Sequence, residues 1–129
     1  MYLKLKKLLD NAYAPYSNFP VAAILKDKDE KEWNGVNVEN AAYPSGLCAE
    51  RSALFGAISY GFKPKSIVEI HIISKKKDFI APCAGCRQVM TELMPQDAKV
   101  FQYGIEGQCR VNTVKELVPY WIAPEDIIA

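Results

Sequence analysis

The sequence contains a single histidine, His71, and no excess of either charge: 16 Lys and Arg stand against 15 Asp and Glu, a net charge of +1. With one imidazole in the chain there is little from which to build a histidine-based site. His71 itself stands among isoleucines, in the pattern of an ordinary strand residue. The balanced charge lacks the basic footprint that a nucleic-acid partner demands, so no long polyanion is expected to bind. No apolar run approaches the roughly 20 residues that cross a bilayer. Lys4, Lys6 and Lys7 lie among leucines near the start, and no signal-type apolar segment follows them. Repeats, low-complexity stretches and linkers are absent. What remains is a chain of 129 residues, half of them apolar, enough for one core; residues 1–129 are expected to form a single domain. A chain so rich in apolar residues has no need of disulfide staples, so its four cysteines read better as reduced side chains in a cytoplasmic setting, free to bind metal.

The pattern along the chain alternates helix and strand signals. Tyr2, Leu3, Leu5, Leu8, Leu9, Ala12 and Tyr13 fall at helical spacing, ended by the loop Ala14-Pro15-Tyr16-Ser17-Asn18. Residues 19–25 read as a buried strand, 26–31 as a charged hairpin turn and 33–38 as the return strand. A loop with Pro44 and Gly46 precedes a helix over about 48–60, stopped by Gly61. Residues 67–74 are a β-branched strand. Cys86, Val89, Met90, Leu93 and Met94 mark a helix stripe that Pro95 ends. Two strands, 99–103 and 109–112, and a short helix over 113–117 precede a tail read as irregular. This order predicts a mixed sheet with helices packed on it.

The chemistry concentrates in Cys48-Ala49-Glu50-Arg51 and Pro82-Cys83-Ala84-Gly85-Cys86, both at predicted helix starts. Free backbone N–H groups and the helix dipole favour thiolates there. Cys83 and Cys86 have the spacing at which one turn brings two sulfurs to one metal. Alone, that pair would favour a closed zinc knuckle or a redox couple. Joined by Cys48, with no obvious fourth ligand, it describes a zinc site with one position open to water. Glu50, two residues from a ligand, is placed to move that water's protons, which is the layout of hydrolytic zinc chemistry. Glu50 as a fourth ligand would close the site; Cys109, in a predicted strand, is a weaker ligand candidate. Three thiolates leave zinc with a formal charge of about −1, which blunts its acidity. Arg51, if hydrogen-bonded to the sulfurs, would restore it; as a helix residue it also reads as plain surface.

These motifs resemble cytidine deaminase of the small, homotetrameric, zinc-dependent type, and they follow the pattern known for nucleobase deaminases in its Cys₃ form. The similarity continues in Tyr13-Ala14-Pro15-Tyr16-Ser17-Asn18-Phe19, in Asn37-Val38-Glu39-Asn40-Ala41-Ala42-Tyr43 and in Pro124-Glu125-Asp126, from about residue 10 to 126. The resemblance implies an α/β fold of the cytidine deaminase type: three layers, with a five-stranded mixed sheet flanked by helices. It implies one Zn²⁺ per subunit on Cys48, Cys83 and Cys86, with Glu50 as proton shuttle. It further implies Phe19 against the nucleoside, Asn37 and Glu39 on the ribose hydroxyls, and Ala49 offering backbone hydrogen bonds to the base. Ala41 and Tyr43 would approach a neighbouring subunit's site. The implied activity is hydrolytic deamination of cytidine and deoxycytidine to uridine and deoxyuridine, in pyrimidine salvage, by a cytoplasmic homotetramer whose partners are a small nucleoside, water and itself.

Two other readings stand beside this one: a deaminase of another aminopyrimidine nucleoside, of the blasticidin S type, and a non-catalytic zinc- or nucleoside-binding module, against which Glu50 argues. The chain also departs from the family pattern. Ala22 and Ala84 stand where glycine is usual. Ile122 stands where relatives commonly carry a phenylalanine that walls the base site, which makes Trp121 a candidate replacement wall.

Overall fold

Strand β3 (Ile67–Ser74) is built from the β-branched run Ile67-Val68-Glu69-Ile70-His71-Ile72-Ile73-Ser74 and is buried on both faces along most of its length. It is the middle strand of a five-stranded sheet. The structure, a computed structural model, describes residues 1–128. Helix α1 (Tyr2–Leu8) leads to β1 (Val21–Asp27) and β2 (Glu32–Val36); α2 (Ala49–Ser59), β3, α3 (Ala84–Leu93), β4 (Lys99–Tyr103), β5 (Cys109–Thr113), α4 (Val114–Leu117) and α5 (Pro124–Ile127) follow. β1 pairs antiparallel with both β2 and β3, β3 pairs parallel with β4, and β4 pairs antiparallel with β5. The sheet is therefore mixed, and α3 supplies the crossover that a parallel pair requires.

Helices cover both faces, giving three layers. On one face, Ala53, Leu54 and Ala57 of α2, Met90 of α3 and Val114 of α4 pack with Ala23, Leu25, Ile70, Ile72 and Val100 of the sheet. On the other, Leu5 of α1 and the following Leu9 cover Ala22, Ile24 and Ile73. Each fully buried Leu or Ile stabilises the fold by about 1.5–3 kcal/mol. The alanine stripe of α2 lets the helix lie against β2 so closely that a Cβ on Gly35 would stand 2.4 Å from the Ala53 nitrogen. Gly35 is thus required by helix-to-strand approach and not by its backbone angles.

Several boundaries differ from the sequence expectation, each for a tertiary reason. The first helix ends at Leu8 and passes through a 3-10 turn (Leu9–Asn11); Tyr13 instead bridges to Val38, its N–H on the Asn37 carbonyl at 3.0 Å. The first strand begins at Val21, because the Asn37 side chain holds Phe19 and Val21 beside the proline between them. It then continues through Lys26 and Asp27, expected in the turn, which pair with Glu69 and Ile67 of β3. The hairpin turn that follows is tied by the Asp27 carboxylate, which accepts from the N–H groups of Asp29 and Lys31. Beyond α4, whose Thr113 and Glu116 form a reciprocal cap, the tail expected to be irregular forms the short helix α5.

Candidate metal centre and substrate cleft

Cys48 and Cys83 are the N-cap residues of α2 and α3, and Cys86 lies in the first turn of α3. Each cap residue's carbonyl begins its helix, accepting from Ser52 N at 2.9 Å and from Arg87 N at 3.0 Å, while neither sulfur caps its own helix. The sulfurs turn toward one another instead: Cys48 to Cys83 is 3.8 Å, Cys83 to Cys86 is 3.4 Å, and all three lie within 4.8 Å of each other. A tetrahedral zinc with sulfurs at about 2.3 Å spaces them by about 3.8 Å. The donor set therefore fits zinc, and the two helix dipoles converge on it. Cys109 and His71 lie elsewhere, on the opposite face of the sheet with α1: His71 bonds Tyr103 and Glu69 and stacks on Phe101, its centroid 4.3 Å away. Among the described residues the three predicted cysteines form the one such cluster.

Glu50, in the first turn of α2, is 5 % exposed. Burial pushes its carboxyl up, opposed more weakly by its own backbone N–H, Arg51 and the Cys86 thiol. That direction suits a group that must both take and give a proton. Arg51 directs Nη2 to the Cys48 sulfur at 3.4 Å. The Cys48 and then the Cys86 sulfur hold its positive charge more firmly than usual. Burial and the Glu50 carboxylate push the Cys86 thiol up, a cost that a divalent cation on the sulfurs offsets. For Cys83, burial works in the same direction but is outweighed by the Cys86 N–H and by the thiols of Cys86 and Cys48, so its pKa lies below the ordinary value.

A cleft of about 480 Å³ opens beside Cys48 and Arg51 and is lined further by Tyr16, Ser17, Asn37, Glu39, Tyr43 and Leu47. Of the expected substrate residues, Asn37, Glu39 and Tyr43 line it. Asn37 is buried, and its amide is partly spent on the backbone: Oδ1 accepts from Val21 N at 2.8 Å and Nδ2 donates to Phe19 O at 2.9 Å. One lone pair and one N–H remain for a ligand. Phe19 is 39 % exposed and, with exposed Ala41 and half-buried Trp121, stands outside the lining. Ala49 is fully buried under the first turn of α2. Ser17 and Tyr16 are cleft residues that the sequence did not single out, although both lie in the loop Tyr13-Ala14-Pro15-Tyr16-Ser17-Asn18-Phe19 that resembles the family.

Residues 1–102 match the cytidine and deoxycytidylate deaminase zinc-binding region. The chain is a member of that family. It is 43 % identical over 118 residues to a cytidine deaminase of Halalkalibacterium halodurans, covering 92 % of this chain and 88 % of that one. It is 36 % identical to a cytidine deaminase of Sporosarcina psychrophila, over 95 % of this chain and 88 % of the other. Its fold is similar to the crystal structure of cytidine deaminase from Burkholderia pseudomallei, with a TM-score of 0.90 and 40 % identity over 94 % of this chain and 95 % of that one. The five-stranded mixed sheet and the deaminase zinc site expected from the sequence are both borne out. No helix among the described residues is long and apolar enough to cross a membrane.

Proposed function

We propose that this protein hydrolytically deaminates cytidine and deoxycytidine, giving uridine or deoxyuridine and ammonia. The observation that carries the reading is the convergence of three sulfurs at zinc spacing, one of them, Cys48, lining a nucleoside-sized cleft, with the buried Glu50 carboxyl two residues along the chain from it. Cys48, Cys83 and Cys86 would hold zinc, which when bound would supply the Lewis acidity that makes water a nucleophile at neutral pH. Glu50 takes the proton from that water, places it on ring N3 and delivers the next to the departing 4-amino nitrogen. The water oxygen ends on C4 and the nitrogen leaves as ammonia. Arg51 withdraws charge from the sulfurs. Glu39 and Asn37 orient the sugar, Phe19 packs on the nucleoside, and the Ala49 backbone meets the base.

The same reading extends to a cytoplasmic homotetramer serving pyrimidine salvage, with Ala41 and Tyr43 reaching a neighbouring subunit's site. The Tyr43 side chain, 76 % exposed at the cleft, supports this; sedimentation of the purified protein tests it, and a monomer would refute it.

The test of the activity is a substrate panel of cytosine, cytidine, deoxycytidine and CMP, followed by ultraviolet absorbance and ammonia release, with zinc content measured alongside. Among the described cleft residues Arg51 is the only cation, and it faces the sulfurs, while Glu39 repels a phosphate. Both nucleosides are therefore expected to turn over much faster than CMP. Silence on every member of the panel at full zinc occupancy refutes the proposal.

A further inference from the structure

The loop after α1 is fastened to Glu39 by three hydrogen bonds. Glu39 Oε1 accepts from the backbone N–H of Tyr16 and of Ser17, each at 3.1 Å. Glu39 Oε2 accepts from the Ser17 hydroxyl. The same hydroxyl accepts from Phe19 N at 3.1 Å, so its one proton is committed to Glu39 and one of its two lone pairs to the turn. Asn18, between them, sits in the left-handed region at φ 55°, a conformation asparagine tolerates, and its N–H closes the turn on Ala14 O at 3.0 Å. The segment is anchored from the other side by the bond from Glu39 N to Tyr13 O at 2.8 Å. Of these residues Tyr16, Ser17 and Glu39 line the cleft, on an exposed wall where a carboxylate of free rotamer would point into water.

We infer that Ser17 is a positioning residue for sugar recognition: it fixes the Glu39 carboxylate in one orientation that leaves a single acceptor position for one substrate hydroxyl. A carboxylate offers about four acceptor positions, and here three are taken by the loop. The hydrogen bonds from Ser17 and Tyr16 also hold the Glu39 carboxyl below its ordinary pKa, keeping it a charged acceptor. Ser17 thus acts through Glu39, and its contribution exists only for substrates that bring the hydroxyl. The inference rests on the proposed nucleoside deamination and on the sugar-binding role of Glu39.

The test compares wild type, Ser17→Ala, Ser17→Thr and Glu39→Gln on cytidine and on 2′,3′-dideoxycytidine, at equal zinc content and with folding verified by circular dichroism. Losing a hydrogen bond to a charged group is expected to raise the Ser17→Ala KM for cytidine about tenfold, with kcat changed by less than about twofold. Threonine, which keeps the hydroxyl, restores KM. On dideoxycytidine, wild type and Ser17→Ala converge, because the hydroxyl that Glu39 would accept from is gone. A cytidine KM unchanged in Ser17→Ala overturns the inference, as does an equal loss on both substrates, which is what a merely structural loop residue would give. If Glu39→Gln damages cytidine binding in those cases, the sugar reading survives and only the role of Ser17 falls. If wild type and Glu39→Gln treat both substrates alike, the role of Glu39 falls and takes that of Ser17 with it.

Discussion

Arg51 Nη2 donates to the Cys48 sulfur at 3.4 Å, and Nε of the same guanidinium is buried without a partner among the described residues. A buried unpaired donor costs about 1–3 kcal/mol. The guanidinium thus faces the Cys48 sulfur with part of its own hydrogen bonding unmet. Gly85, just inside α3, lies beside it: a Cβ there would come 3.8 Å from the guanidinium carbon.

That placement predicts a separation between turnover and folding. Arg51→Ala removes an unpartnered donor along with a charge, so stability should change little, while activity or zinc affinity falls by about 10–100-fold. Steady-state kinetics at full zinc occupancy, with a thermal melt beside them, check this. Unchanged kinetics would mean the sulfurs need no counter-charge.

Glu50→Gln keeps the shape of the buried side chain and removes its ability to carry a proton. Because Glu50 is not a ligand in this reading, zinc content and the melting transition should persist while turnover drops by at least about 10²–10⁴-fold. Zinc loss in the variant would make Glu50 a ligand, and near-normal turnover would remove it from the chemistry.

Away from the site, His71 gives the fold a pH dependence of its own. Burial lowers its pKa, against the opposing pull of Glu69, so the folded state holds it neutral more readily than the unfolded chain does. The unfolded state then binds more protons on acidification. This contribution to stability is complete above the unfolded value of about 6.5 and is lost as pH falls through the lower folded value. Denaturant melts of wild type and His71→Gln across this range check it: the wild-type stability should decline with acid below about pH 6.5, and the variant should lack that part of the slope. Parallel pH profiles would show that Glu69 compensates the buried charge.

What the sequence disclosed follows from how locally each feature is encoded. Helix starts at Cys48 and Cys83 and the strand 67–74 are written in contiguous patterns, and they fall within a residue of the expectation. The sulfurs' convergence was legible because zinc coordination demands it of any three such cysteines. The ends of β1 and β2 were not legible: Lys26 and Asp27 look like a turn until Glu69 and Ile67 pair with them, and Val38 looks like strand until Tyr13 and Leu47 bridge to it. The double duty of Asn37, and the hold of Ser17 on Glu39 across 22 residues, are invisible in a linear reading because neither partner is a sequence neighbour. The helix α5 was missed because four residues closed by Pro124 and an Asp126 bond to Ala123 N carry no periodicity.

The tail raises the remaining question, which is what stands at the base in place of an aromatic at position 122. Ile122 is 56 % exposed, and its carbonyl accepts from Gln88 Nε2 at 3.1 Å. Gln88 lies two residues beyond Cys86, so the tail is tied to the helix that presents two of the three clustered sulfurs. Tyr120 is 92 % exposed, whereas Trp121 is half-buried and outside the cleft lining. Of the tail aromatics Trp121 is the one next to the anchored carbonyl and the one that is not fully exposed. Loss of an aromatic face against the pyrimidine costs on the order of 1 kcal/mol, about fivefold in KM. Trp121→Ala should therefore raise KM for cytidine by that factor, at unchanged zinc content and unchanged oligomeric state, and Ile122→Phe in that background should recover it. Normal cytidine binding by Trp121→Ala, with improvement only from Ile122→Phe, would show that the base is walled by whatever occupies position 122 and that Trp121 serves packing alone.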